Sequence, residues 1–539
     1  MTIRLLDWLD DPSPKTGLNW AVSGGWRRTT YEQLATRVKA HAAALHEHGV
    51  SHGSVVSIIE PSVDEFVVRF FAVLLAGATP NPIAPPFPIQ DEASYRRQLG
   101  RLLDVAQPTA ISVAAHLWST VAPVVTKAIT VLTDENATPA ATFPGCAAED
   151  IALLQFTSGS SGIPKAVRVP TRALEANIAD IHAWLLMTPA DRMATWLPPY
   201  HDMGLIGGLL ASIAARCEVD AMAPIDFIRD PAKWLSCVGQ RGATISPAPN
   251  FALSYVVDRV GDDQLSGLDF SGWKALVCGA ERVDPLIARR FVERLRPYGF
   301  RSETFCPAYG MAEATLAVSG DTPGRQPRVI AVDRTSGALD GPFELMVAPI
   351  EDGRSWLVSC GEPLSTVEVS IADDSTGCGE LHVSGPSLAL DYRTARSEIE
   401  LARDSRGRLA TGDAGYLVDG EVYPIGRMGD SVKIRGVAMY AEDLEIDIVR
   451  ATGLASNRVA VLAGVDDGRT RIAAVVEDID VDPALVTKVL TAATGGDVDI
   501  VVLAAARGTV ERTTSGKTRR RQMWRKFAAG EYKSYQSEN

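Results

Sequence analysis

The sequence predicts an α/β protein with three parts: a large N-terminal domain of layered α/β subdomains, a small β-barrel-like subdomain, and a small α+β C-terminal domain. Three observations predict it. Helix-like and strand-like segments alternate through most of the chain. After about Leu364 the texture changes to short segments that alternate apolar and polar residues. From about Asp430 a compact mixed unit follows. The length of 539 residues fits two or three domains.

In chain order, Tyr31–His48 reads as a helix, with apolar residues at three- and four-residue steps after a cap-like Thr30. Val55–Glu60 reads as a buried strand, Phe66–Ala76 as a helix, and the Pro-rich run Pro80–Pro88 as a loop. Ala110–Val113, Ile151–Phe156, Thr244–Pro247 and Ala275–Cys278 are further short buried strands. Thr366–Ile371, Glu380–Ser384 and Glu421–Ile425 form a small antiparallel sheet or barrel, separated by turns such as Asp419-Gly420. In the last unit, strands are expected near 432–435, 458–465, 471–477 and 498–503, and helices near 442–450, 483–493 and 518–527. The boundary falls in Gly426-Arg427-Met428-Gly429.

Composition excludes several classes. Lys and Arg total 53 against 66 Asp and Glu, a net charge of −13, which argues against a nucleic-acid binder. Seven cysteines without a C-x-x-C pair argue against a disulfide framework or zinc ribbon and fit a reducing cytoplasm. The start MTIRLLDWLDD lacks the basic and apolar regions of a signal peptide. Phe70–Ala78 and Leu205–Ala215 are too short to span a bilayer.

The segment Phe156-Thr157-Ser158-Gly159-Ser160-Ser161-Gly162-Ile163-Pro164-Lys165 directly follows a buried strand. Such a loop turns backbone N–H groups toward one point, adds four hydroxyls and the Lys165 charge, and uses its glycines for close approach to anionic oxygens. A flexible Gly/Ser surface linker is the alternative. The GxxxxGK[ST] spacing of the ordinary P-loop is absent.

Other segments decide between these. Ala308-Tyr309-Gly310-Met311-Ala312-Glu313, Thr411-Gly412-Asp413, Gly426-Arg427 and Thr514-Ser515-Gly516-Lys517 follow in order along the chain. Together they resemble the signatures of the adenylate-forming superfamily: acyl-CoA synthetases, fatty acyl-AMP ligases, luciferases and peptide-synthetase adenylation domains. The resemblance covers essentially the whole chain. It implies domains at 1–425 (with an insertion at about 321–357) and 430–539, a mobile lid, joined by a hinge at 426–429. ATP and Mg²⁺ are the implied cofactors.

The resemblance also implies roles. Thr157, Ser158, Gly159, Ser160, Ser161, Gly162 and Lys165 hold the phosphates. Tyr309 stacks on adenine, beside Ala308, Gly310, Met311 and Ala312, and Gly279-Ala280-Glu281 lines the adenine plane. Glu313, with Thr157 nearby, meets the metal; carboxylate oxygen suits that hard cation. Asp413 accepts from the ribose hydroxyls, Arg427 accompanies it, and Lys517 reaches the α-phosphate and carboxylate, where a positive charge offsets developing negative charge. Each has a plainer alternative: a buried tyrosine, a surface glutamate, a turn aspartate, an interdomain ion pair, or a basic face shared by Lys517 with Arg519–Arg521. Gly429 stands where the family has its hinge residue, and glycine permits wide backbone angles.

Pro198-Pro-Tyr-His-Asp-Met-Gly-Leu-Ile-Gly207, Gly310–Gly320 and Val358–Pro363 resemble the fatty acyl-AMP ligase branch in particular. That implies an acyl pocket at His201, Asp202, Met203, Gly204, Ile206, Asn250 and Phe251, with Leu205–Ala214 as an apolar wall or core helix. The long connection from Glu313 to Gly361 includes Arg328–Val332 and Ala348–Gly353, expected to pair as an extra hairpin. In that branch such an insertion hinders the rotation needed for CoA transfer. The implied substrate is a medium- or long-chain fatty acid. The implied acceptor is the phosphopantetheine thiol of an acyl carrier protein or carrier domain in polyketide, lipopeptide or siderophore assembly. The alternatives are an acyl-CoA synthetase and a non-catalytic acyl-adenylate-binding protein.

Overall fold

The structure is a computed structural model that describes residues 3–87, 91–125, 130–132, 143–157, 164–334, 336, 338–351, 354–372, 377–434, 437–466, 469–496, 498–512 and 518–532. A nine-stranded mixed sheet forms the centre. Its order is Glu362–Pro363, Ala317–Gly320, Phe305–Gly310, Ala275–Gly279, Ile245–Pro249, Arg192–Thr195, Glu218–Ala221, Gly17–Val22, Gly25–Thr30. The inner strands from Phe305–Gly310 to Gly17–Val22 run parallel, so both faces must be covered. One face packs on a cluster that includes Trp234, Trp273 and Phe291, the other on a cluster that includes Ile178, Ile206 and Leu209.

A second, parallel sheet has the order Thr79–Pro82, Val55–Ile59, Ala110–Val113, Thr130–Leu132. The helix Tyr31–Glu47 beside it is set by its sequence. Thr30 accepts from Gln33 N–H at 3.2 Å while the Gln33 side chain accepts from Thr30 N–H at 2.9 Å, a complete capping box. Leu34, Val38, Ala42 and Leu45 then fall on one buried stripe. The following helix, Val63–Leu75, is buried nearly all round, as its apolar sequence requires. A third sheet, antiparallel, joins Ile151–Thr157 to Lys165–Pro170, Asp391–Arg393 and Glu398–Glu400.

The three strands expected after Leu364 lie in one antiparallel sheet, as Glu368–Ile371, Cys378–Ser384 and Glu421–Arg427, with Leu409–Val418, which the sequence did not single out as a strand, between the last two. A three-stranded sheet packs on it, bringing Ile330, Val332 and Leu357 against Ala414, Tyr416, Tyr423 and Ile425. This sheet corrects the expected hairpin. Arg328–Asp333 pairs with Leu339–Glu344 and with Arg354–Val358; Ala348–Glu351 is not a strand, and 352–353 lie outside the described residues. The reason is local: Trp356 and Val358 carry an inward-facing alternation, whereas Ala348-Pro349-Ile350 offers a proline that cannot donate to a ladder.

The last unit contains Ser431–Ile434 paired with Val437–Tyr440, and a three-stranded sheet of Val459–Asp466, Arg469–Val476 and Asp499–Ala504. Helices Ala441–Thr452 and Pro483–Thr494 cover one side through Leu444, Ile448, Val486 and Leu490; Arg520–Ala528 covers the other through Met523 and Phe527. Arg282 Nη2 lies 2.8 Å from Asp443 Oδ1, both nearly buried, and Arg334 Nη2 donates to Asp447 Oδ1 at 3.0 Å. These pairs join the unit to the rest of the chain. All seven cysteines are free thiols. Among the described residues no helix is long and apolar enough to cross a membrane.

Candidate active site

Parallel strands align their carboxyl ends, and ligands of such sheets sit in the crevice beyond those ends. Here Ile245–Pro249, Ala275–Gly279 and Phe305–Gly310 end at one cavity of about 950 Å³, whose other walls come from the antiparallel sheets and the C-terminal unit. Thr157, Lys165, Gly279, Ala280, Glu281, Ala308, Tyr309, Gly310, Met311, Ala312, Glu313, Asp413 and Arg427 all line it. Ser158, Gly159, Ser160, Ser161 and Gly162 lie outside the described residues, as does Lys517. Their flanks can be placed. Thr157 ends its strand directly opposite Lys165. Arg512 and Thr518, on either side of Lys517 in the chain, form a bridge pair and line the cavity.

Tyr309 is buried, and its hydroxyl donates to Asp413 Oδ2 at 2.8 Å. Burial first, and the Asp413 charge second, push its pKa well above the ordinary tyrosine value, so it stays a donor. The other Asp413 oxygen lies 2.8 Å from Arg427 Nε, and Arg427 Nη1 donates to the Thr411 carbonyl at 3.0 Å. The Thr411 hydroxyl in turn accepts from Asp413 N–H at 3.0 Å. The strand pairing Asp413↔Arg427 sets these two side chains together.

Glu313 Oε1 accepts from the Tyr392 hydroxyl at 2.6 Å, and Lys165 Nζ stands 5.0 Å from the Tyr392 ring centroid, within cation–π range. Tyr392 is on Asp391–Arg393, paired with the strand that begins at Lys165. Burial, and then the Glu313 charge, raise its pKa beyond any ordinary pH. Nothing in the sequence singled it out: Leu-Asp-Tyr-Arg is an unremarkable run, and only strand pairing brings it to Glu313. Oxygen donors suit Mg²⁺. The Glu313 carboxylate and the Thr157 hydroxyl are among the oxygen donors on the cavity wall, and their chemistry suits that ion. Thr157 and Glu313 would hold it, and when bound it supplies charge to offset that of the phosphates.

Gly310 and Gly279 are glycines for space. A Cβ on Gly310 would overlap the Leu316 carbonyl oxygen, and one on Gly279 would sit 3.0 Å from the Ala308 oxygen. Ala280 has φ of +71°, a strained value for a residue with a side chain. Glu281 Oε1 accepts from Phe251 N–H at 2.7 Å, which satisfies a free donor at the start of helix Asn250–Arg259. Buried Asn250 accepts from Asp284 N–H at 3.1 Å.

Of the residues expected at the acyl pocket, His201, Asp202, Met203, Asn250 and Phe251 line the cavity. His201 Nδ1 lies 2.7 Å from Asp202 Oδ1. Gly204 and Ile206 do not line it. Ile206 points into the core, and a Cβ on Gly204 would collide with the Pro198 carbonyl oxygen. The cause is helix geometry: Met203–Leu210 is π-helical, so Met203 and Gly207 face the cavity instead. Gly429 is not on the cavity wall. Its φ is not in the left-handed region; a side chain there would meet the Arg521 guanidinium. The basic run after residue 518 is partly an exposed face, through Arg521 and Arg525, and partly enclosed. Arg520 is enclosed by Asp430, Glu442 and Glu445, and Lys526 Nζ donates to Glu511 Oε1 at 2.5 Å.

A parallel α/β core, a nucleotide-sized cleft at its strand ends and a small unit closing over it define the class. The chain belongs to the AMP-binding enzyme family, which it matches over residues 11–393. It is an adenylate-forming ligase. Among its relatives is the medium-chain-fatty-acid–[acyl-carrier-protein] ligase JamA of Moorena producens, 30% identical over 93% of this chain and 90% of that protein. The putative fatty-acid–CoA ligase fadD25 of Mycobacterium tuberculosis is 31% identical over 92% and 90%. A solved chain from studies of fatty acyl-adenylate ligases from E. coli and L. pneumophila superposes with a TM-score of 0.85 at 28% identity, covering 98% of both chains. A fatty acyl-adenylate ligase from L. pneumophila in complex with acyl adenylate and pyrophosphate gives 0.71 at 28% identity over 97% and 95%.

Proposed function

We propose that this protein joins a medium- or long-chain fatty acid to ATP, releasing pyrophosphate and forming acyl-AMP, and then passes the acyl group to the phosphopantetheine thiol of an acyl carrier protein. The supporting observation is one cleft, lined by Thr157, Lys165, Glu313, Tyr309, Asp413 and Arg427 together with Arg512 and Thr518, which flank Lys517 in the chain, and by apolar residues such as Ile245, Val277 and Trp184. The names of JamA and of the L. pneumophila ligase point the same way.

In this reading the fatty carboxylate oxygen attacks the α-phosphorus and pyrophosphate leaves in line. Thr157–Lys165 holds the outgoing phosphates; Tyr309, Asp413 and Arg427 fix the nucleoside; Lys517 faces the charge that develops. Positioning and electrostatics supply the acceleration. Residues 1–425 carry the site, 426–429 are the hinge, and 430–539 are the lid. The insertion at about 321–357, tied to the lid through Arg334 and Asp447, restrains its rotation and disfavours CoA. The setting is cytoplasmic, in polyketide, lipopeptide or siderophore assembly.

Pyrophosphate exchange with fatty acids tests the first half-reaction. Lys517→Ala should lower it by about 10²-fold or more, as loss of a charge at the reacting phosphorus does; exchange at the parental rate would remove Lys517 from catalysis. Supplying a carrier protein and CoA side by side and identifying the thioester tests the acceptor. Repeated turnover of ATP excludes a mere adenylate-binding protein.

A further inference from the structure

The cavity extends well past the nucleotide end, along one face of the central sheet. Side chains alternate across a strand. Ile245 and Pro247 line the cavity, while the alternate residues of that strand face the opposite core, with Ala248 packed there and Ser246 bonded to Trp234. Val277 and Gly279 line it on the next strand, while Leu276 and Cys278 face away. The floor of this channel is therefore the sheet itself. Two helices form its sides. Met203 and Gly207 come from the π-helical segment, and Ile181, Trp184 and Leu185, spaced as one helix face, come from the last turns of Thr171–Leu185.

These helices converge at the far end. His182 Nε2 lies 2.7 Å from the Ala211 carbonyl oxygen, so the second helix, at Ala211–Ala214, touches the first there. At the same level Met193 is the strand partner of Ile245, the first residue of its strand. Met193, Ile245, Ile181 and Leu185 are each at most 3% exposed, so the channel pinches out among them. Trp184 cannot swing aside to lengthen it. Its Nε1–H donates to the Asp321 carbonyl at 2.8 Å, and its ring packs so closely on Gly320 that a Cβ there would overlap it.

The strand provides the ruler. From Asn250, at the nucleotide end, back to Ile245 is five steps of about 3.3 Å, or about 16 Å. An extended acyl chain advances about 1.25 Å per carbon, from a bond of about 1.52 Å at the tetrahedral angle. With van der Waals clearance at the end wall of about 4 Å, the channel holds about ten to twelve carbons. We infer that the acyl channel is closed, ended by Leu185 and Met193 with Ile245, and that it selects medium-chain acids over hexadecanoate and longer acids. The inference rests on the fatty-acid reading above and adds its length limit and the residues that set it.

The test is pyrophosphate exchange by the full chain across hexanoate, octanoate, decanoate, dodecanoate, hexadecanoate and octadecanoate, read as relative kcat/KM. Dodecanoate or decanoate should exceed hexadecanoate by about tenfold or more, the scale on which packed pockets reject extra methylenes. Met193→Ala should move the optimum two to four carbons longer, as the space of about one side chain opens at the end wall. Val277→Phe, midway along the floor, should move it shorter than octanoate. Opposite shifts by the two variants separate a length gauge from general damage, which would lower all acids together. Wild type using hexadecanoate as well as dodecanoate, or both variants keeping the wild-type profile, would overturn the inference while leaving the ligase reading intact. No exchange with any acid would overturn both.

Discussion

Tyr309, Asp413 and Arg427 show how side chains far apart in sequence become one device. Asp413 takes a hydrogen bond from Tyr309 and an ion pair from Arg427, so its carboxylate is held in one orientation on the cavity wall. Tyr392 does the same for Glu313. A hydrogen bond to a charged group is worth about 1.5–3 kcal/mol. Tyr392→Phe should therefore raise the Mg²⁺ concentration needed for half-maximal exchange by about tenfold, with the fold unchanged by circular dichroism. An unaltered Mg²⁺ titration would mean that the contact does not serve the metal site. Asp321 supplies a pH prediction. It is buried, at 2% exposure, and desolvation, then the Glu421 charge, push its carboxyl up to about 7 from an ordinary 3.8. The folded state thus binds the proton more tightly than the unfolded state. The stabilisation is full below about pH 4 and is lost as pH rises through about 7. Thermal melts should show Asp321→Asn falling less steeply than wild type over that window; parallel slopes would contradict the raised value.

At the scale of the element, the strand-to-helix junctions carry the site. The π-helical turns of Met203–Leu210 re-aim side chains at a functional surface, a known use of such widened turns. Gly204 makes this possible by lying against the Pro198 carbonyl. Gly204→Ala forces that turn apart, and His201 and Asp202 with it. The cost expected is about 1–3 kcal/mol of stability, together with a higher KM for the fatty acid. Chemical denaturation and exchange kinetics would read both, and a neutral result on both would show the turn to be yielding. The capping box at Thr30 is an element-level feature with no part in the site. Thr30→Ala should cost about 1 kcal/mol without changing kcat.

For the molecule as a whole, the arrangement of the C-terminal unit rests on a few charged contacts. Arg282–Asp443 is nearly buried and Arg334–Asp447 is largely enclosed, while Arg520 gathers Asp430, Glu442 and Glu445 on the unit's own side. Removing one member of a buried pair leaves the other charge uncompensated, at a cost of about 3–5 kcal/mol. Asp443→Ala should therefore weaken docking of this unit. The expected signs are faster protease cleavage around 426–429 and slower exchange, with the core still folded. Unchanged cleavage would show that other contacts suffice.

Much of this was legible in the sequence, because it follows from local rules. Helix Tyr31–Glu47 is written in its cap and its stripe, the buried strands in their apolar runs, and the C-terminal unit in its alternation of strands and helices. The ordered signatures at Thr157, Tyr309, Glu313, Asp413 and Arg427 marked residues that all line the cavity, though most of its wall carries no such signature. Tertiary structure alone decided the rest. The partner of Arg328–Asp333 depended on long-range pairing, which periodicity does not encode. Whether Ile206 or Gly207 faced the channel depended on how many residues each helical turn holds, which packing against Thr195 and Leu316 constrains. Tyr392 reached Glu313, and Met193 reached Ile245, only through strand registers spanning tens of residues. A sequence fixes the chemistry that each residue carries; which residues meet depends on how the chain's surfaces bury one another, a property of the whole fold.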